Sequence, residues 1–166
     1  MDDSMAIVYP EPLQSFRFLI QVDGSSGVSA AFTSFSGVKM QVDTLQSRDG
    51  DDRRGVQSYI PVLSRYEPVR LSKGVVGDNE FLDWLFSASA DLTAGPTGDR
   101  LRRTIYVITL DARGNPAVTW TLKDAMPIGY EMAPLDGSRS EVLMESLTFA
   151  ITGMKRTVQP PKQPGR

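Results

Sequence analysis

The sequence predicts a mainly β protein, a small antiparallel β-barrel or sandwich with one flanking α-helix. Three observations carry that expectation. Apolar and polar residues alternate with a period of two along most of the chain. Clusters of Gly, Pro, Ser and Asp punctuate the alternating runs. Only one stretch, after Gly77, crowds Phe81, Leu82, Trp84, Leu85 and Phe86 together at a helical period. At 166 residues the chain has room for one domain with a substantial core.

Residues 1–13 read as an arm, because Pro10 and Pro12 restrict the backbone and remove donors. A single domain is expected over 14–156. It opens on SFRFLIQVD (15–23), where Phe16, Phe18, Ile20 or Leu19, and Val22 mark a strand of near period two closed by the turn Gly24-Ser25-Ser26-Gly27. VSAAFTSFSGVKMQVDTLQS (28–47) alternates for longer and reads as two strand segments, with Gly37 at a bulge or bend. RDGDDRRG (48–55) holds six charges in eight residues and cannot bury itself, so it is expected at an exposed tip. VQSYIPVLSRYEPVRLSKG (56–74) resumes the alternation, but Pro61 and Pro68 make its first part an edge or an excursion. The whole of 42–65 is therefore expected to leave the body of the domain.

A helix follows over about 78–89, with Asp78 placed to cap it. TIYVITL and AVTWTLKDA form the arms of a hairpin that turns at Asp111-Ala112-Arg113-Gly114-Asn115-Pro116. In SEVLMESLTFAITGMKR (140–156), Leu, Met and Glu favour helix while the alternation around LTFAIT favours strand; the alternation decides for one closing strand. The Pro-rich tail 157–166 has no apolar anchor and is expected to be flexible.

The chain contains neither histidine nor cysteine. That removes the imidazole base, the Ser-His-Asp triad, the thiolate nucleophile and the commoner zinc sites. A net charge of −2 gives no electrostatic footprint for a phosphate backbone. No run approaches the roughly 18 apolar residues of a membrane span, so no membrane binding by the chain itself is expected. The N-terminal acids do not resemble a secretory signal, and cytoplasmic synthesis is the simplest expectation.

Asp49, Asp51 and Asp52 lack calcium-loop spacing and sit among arginines that compete for them. Gly24-Ser25-Ser26-Gly27 is a turn and not a nucleophile elbow, and GVVGDNE (74–80) lacks the Lys and Ser/Thr of a phosphate loop. Trp84 and Trp120 read as core. No catalytic, cofactor-binding or metal-binding residue is expected, and the chain does not read as an enzyme.

The order of the pieces is the most informative feature. LSKGVVGDNEFLDWL, LDARGNPAVTWTLKDAMPIGY and EVLMESLTFAITGM, following SFRFLIQVDG and FTSFSGVKMQVDTLQSRDG, resemble the tail tube protein family of contractile phage tails and contractile injection systems over about residues 10–156. The resemblance implies a structural inner-tube subunit, six copies closing into a ring and rings stacking around a lumen for payload inside a contractile sheath. It implies that Phe81, Leu82, Trp84 and Leu85 pack the helix on the barrel. It also implies that the excursion, with Arg48, Asp49, Asp51, Asp52, Arg53 and Arg54 at its tip and Tyr59 on its flank, reaches the adjacent ring. The implied partners are further copies of the chain, the sheath, baseplate or spike proteins, and a cap or tape-measure. The implied location is a phage tail or injection particle after cytoplasmic assembly. Two alternatives stand beside it: a baseplate-proximal tube-initiator paralogue of the same fold, and a monomeric ligand-binding β-barrel with an internal apolar pocket.

Overall fold

The structure, a computed structural model, describes residues 12–24, 28–29, 32–47, 58–75, 77, 79–90 and 101–160. In chain order the elements are β1 (Phe18–Val22), β2 (Val28–Ser29), β3 (Phe32–Phe35), β4 (Met40–Ser47), β5 (Ser58–Tyr66), β6 (Val69–Gly74), α1 (Glu80–Ala90), β7 (Arg103–Leu110), β8 (Pro116–Met132), β9 (Met144–Ala150) and β10 (Gly153–Val158). Every pairing among them is antiparallel. Among the described residues the protein is mainly β with one helix, as the alternation predicts.

A layer of five strands and a layer of four share one long strand. In the first, the order is β2, β1, β7, β8, with β10 on the other side of β8; in the second it is β8, β9, β6, β3. β8 runs for 17 residues and belongs to both. Its first half pairs with β7 and β10, and its second half, from Met126, pairs with β9. The change of layer falls at Asp124, whose φ of +52° is a left-handed conformation. Thr152 Oγ1 donates to Asp124 Oδ2 at 2.6 Å and holds that corner.

Alternation decides which side chains meet between the layers. The register aligns Ile20 with Val107 and Trp120, and Val22 with Ile105 and Leu122. In the second layer it aligns Val69 with Phe149 and Pro127, and Leu71 with Leu147 and Tyr130. Val69, Leu71, Ile105, Leu122 and Phe149 are fully buried. The helix covers this core: the Trp84 ring lies 5.3 Å from that of Phe149, and Phe81 meets Phe32 edge-on at 5.2 Å. The buried Trp84 indole donates from Nε1 to the Leu101 carbonyl at 2.6 Å, so the ring's one polar group is satisfied.

The sequence reading needs four adjustments. The first helical bond runs from the Asp83 N–H to the Asn79 carbonyl, which puts Asn79 in the capping position given to Asp78; Asp78 lies outside the described residues. The second hairpin arm continues through Pro127 to Met132, because a bulge between Pro127 and Gly129 absorbs the proline. The closing segment is two strands, β9 and β10, broken at Ile151–Thr152 opposite the corner in β8. Thr157 and Val158, assigned to the tail, pair with Thr119 and Val118.

The predicted 111–116 turn is present. Asp111 accepts from the Asn115 and Arg113 backbone N–H groups at 2.9 and 2.8 Å, with Gly114 at φ +82°. Those bonds, the one from Asn115 first, hold the Asp111 carboxyl below its ordinary pKa.

Trp84→Ala removes both the aromatic contact and the bond to Leu101. It is expected to cost about 3–5 kcal/mol of unfolding free energy, read as a lowered urea midpoint with an unchanged slope.

Candidate functional site

The predicted excursion is a two-stranded ribbon. β4 and β5 pair only with each other among the described residues. The ribbon leaves the second layer where β6 begins, its base pinned by the Lys39–Glu67 ion pair at 2.6 Å and by the Glu67 N–H to the Lys39 carbonyl. Pro61 sits in β5 without breaking it, since an edge strand has no second partner for the missing N–H. A bulge between Asp43 and Thr44 leaves Val62 unopposed.

Cross-strand neighbours share a face, so one face carries Met40, Tyr66, Val42, Ser64 and Tyr59, and the other carries Leu63, Leu45 and Ile60 beside an Asp43–Arg65 ion pair at 2.7 Å. Met40, Val42, Leu45, Tyr59, Ile60, Val62 and Leu63 are each between 41% and 63% exposed. An isolated ribbon of two strands is marginal in water, and this one carries exposed apolar side chains on both faces. Tyr59 lies in β5. Arg48, Asp49, Asp51, Asp52, Arg53 and Arg54 lie outside the described residues. Sequence reasoning put the emphasis on those charges and missed the apolar ribbon below them; the adjacent pair Val62-Leu63 was the signal that both faces are apolar.

The four helix residues separate into two pairs. Phe81 and Trp84 enter the core, whereas Leu82 and Leu85 are half-buried at its margin. Phe86 points away from the core and is largely exposed.

The strand edges are unlike one another. Among the described residues the edges of the first layer are β2 and β10, and β10 carries the exposed Lys155 and Arg156. Charged edges resist pairing with another chain. In the second layer the edges are β3 and the 126–132 half of β8, which pairs only with β9 among the described residues. Ile128, Tyr130 and Met132 stand exposed along that half, and β3 has no charged residue.

The outward face of this layer is hydroxylic. Ser72 Oγ lies 2.9 Å from Ser146 Oγ, Thr33 donates to the Ser72 carbonyl, and Arg70 pairs with Glu131 at 2.6 Å. The inward face ends in a buried charged pair. Lys73 and Glu145 are register partners, 3.4 Å apart and both buried, with the Lys73 ammonium 5.1 Å from the centre of the Phe81 ring. Tyr130 donates its hydroxyl to Glu145 at 3.1 Å. Partial burial of the phenol, reinforced by that carboxylate, raises the Tyr130 pKa above its ordinary 10.0. Among the described residues no three acidic side chains are grouped to hold a metal ion.

This arrangement, a small two-layer β domain with open sheet edges and a projecting apolar ribbon, defines an assembly subunit. Residues 14–155 match the family described as T4-like virus tail tube protein gp19, and the chain belongs to that family. No curated protein matches the sequence. Among solved structures, the fold is similar to a chain in the sheath–tube complex of an extracellular contractile injection system (PVC) in its extended state. That likeness has a TM-score of 0.74 and 22% identity over 90% of this chain and 94% of that one. A chain in the tube-terminating cap of the anti-feeding prophage gives a TM-score of 0.73 and 21% identity over 96% and 100%. A chain in the anti-feeding prophage baseplate gives 0.69 and 20% over 90% and 98%.

Tyr130→Phe deletes the bond to Glu145, and solvent access to the phenol keeps the expected loss near about 1 kcal/mol. Because the folded pKa is raised, Tyr130's contribution is complete below pH 10.0 and is lost as pH rises through the folded value. The difference between wild type and variant in urea midpoint should therefore hold steady at neutral pH and shrink in strong alkali.

Proposed function

We propose that this tube subunit builds rings through the open edges of its second layer, the 126–132 half of β8 in one copy pairing with β3 in the next. The observation that carries the reading is the contrast between edges among the described residues: β10 carries the exposed Lys155 and Arg156, while β3 has no charged residue and the 126–132 half of β8 has its one charge, Glu131, paired with Arg70. Repeated around a closed ring, that pairing makes one continuous sheet, and six copies is the number the resemblance to contractile tubes implies.

The hydroxylic face with its neutralised Arg70–Glu131 pair then lines the lumen, where small polar side chains offer a payload no apolar or strongly charged hold. The helix, on the opposite side of the core, faces outward toward a sheath. The apolar ribbon and its charged tip, Arg48 to Arg54, reach the adjacent ring. The role is structural and not catalytic, in a phage tail or injection particle assembled from cytoplasmic subunits, with a baseplate below and a cap or tape-measure setting length. The likeness to cap and baseplate chains also supports a second reading, a tube-initiator or terminator subunit at one end of the same tube.

Electron microscopy of the full-length protein across a concentration series is expected to show sixfold rings or stacked tubes, and a monomer at every concentration would refute self-assembly. Ile128→Lys, which puts a charge on the open edge, is expected to give monomers with an unchanged urea midpoint. Neutralising Arg53 and Arg54 is expected to remove stacking while leaving rings.

A further inference from the structure

We infer that the surface receiving the ribbon is the apolar patch of Val75, Met132, Leu135 and Val142, at the opposite end of the second layer, on a copy of this chain in the next ring. The inference rests on the ring reading above. If copies join side by side through strand edges, the strands run between the two faces of the ring, and whatever lies at the strand ends lies on those faces.

The topology puts the two apolar surfaces at opposite ends. The ribbon departs beside Val69, where the Ser36 N–H bonds the Arg70 carbonyl. β6 then runs to Gly74, roughly 20 Å away at the rise of a strand, and Val75 follows. Met132 ends β8 there, and the segment 133–143 connects it to β9 at the same end. Val75, Met132, Leu135 and Val142 are all exposed, Leu135 and Val142 by about three-quarters at 74% and 76%. A unit with an apolar projection at one end and an apolar patch at the other stacks head to tail without limit.

The patch is a built surface. The Ala133 N–H bonds the Met144 carbonyl and the Val75 N–H bonds the Leu143 carbonyl, which clamps both ends of the segment to the sheet. Between them Asp136 accepts from the Ser138 N–H at 2.9 Å and from Ser138 Oγ at 2.6 Å, with Arg139 at 3.4 Å. Val142 lies flat against Gly74, where a Cβ would stand 3.4 Å from its Cγ1. A prearranged patch spends little conformational entropy on docking. Its aliphatic side chains match the ribbon face of Leu45, Ile60 and Leu63.

Two measurements test this. Leu135→Glu with Val142→Glu alters only exposed positions, so the urea midpoint should not move, and electron micrographs should show single rings in place of stacks; stacks of wild-type length would overturn the inference. The chain has no cysteine, so Ile60→Cys chains can be mixed with Leu135→Cys chains and bridged with a short bismaleimide. Heterodimers should outnumber homodimers. Stacked tubes without heterodimers would overturn the receiving surface and leave the tube reading standing. Absence of heterodimers together with a wild-type monomer at every concentration would overturn both.

Discussion

The rest of the structure depends on one strand serving two layers. β8 has the length to pair with β7 and β10 and then with β9, but a strand cannot lie in two packed layers without a corner. Asp124, in a left-handed conformation and tied to Thr152, supplies it. The same corner explains the break between β9 and β10, which must turn alongside their partner. It also explains the open edge: β7 stays with the first layer after its pairing with Ala125, so among the described residues the remainder of β8 has a partner on one side only.

The second constraint is register. A slip of β6 by one residue against β9 would turn Lys73 outward and bring Ser72 toward the core, leaving Glu145 buried without its lysine. Breaking a buried pair is costly even where the pair itself adds little net stability, so this one acts as a penalty against misalignment. The Phe81 ring over Lys73 ties the helix to the same aligned state.

Much of this was legible from the residues. Period two located the strands around Ile20, Leu71 and Val107, and Asp111 to Pro116 announced a turn through side chains that bond their own backbone. Phe81 and Trp84 announced a helix with a buried face. What could not be read was long-range. Asp124 is not glycine, so no local rule marked the corner, and the strand runs on through Pro127 to Met132, past the arm that alternation marked. The open edge of β8 is a property of which partner leaves first, and the sequence does not state partners. Pro61 and the charged run pointed to an excursion, but alternation alone reads as burial whenever the covering surface is unknown, and only the adjacent Val62-Leu63 signalled apolar side chains on both faces of the β4–β5 ribbon.

The continuity of β8 also has a mechanical meaning. A load applied along the strands enters at one end of this 17-residue strand and leaves at the other. On the way it passes to β7 and β10 and then to β9 through backbone hydrogen bonds that lie across the direction of pull. Bonds in that arrangement are sheared together and must fail together, whereas a strand peeled from its end loses them one at a time. A pull along either half of β8 therefore meets hydrogen bonds in shear, and the Asp124 corner is where the direction of that resistance changes.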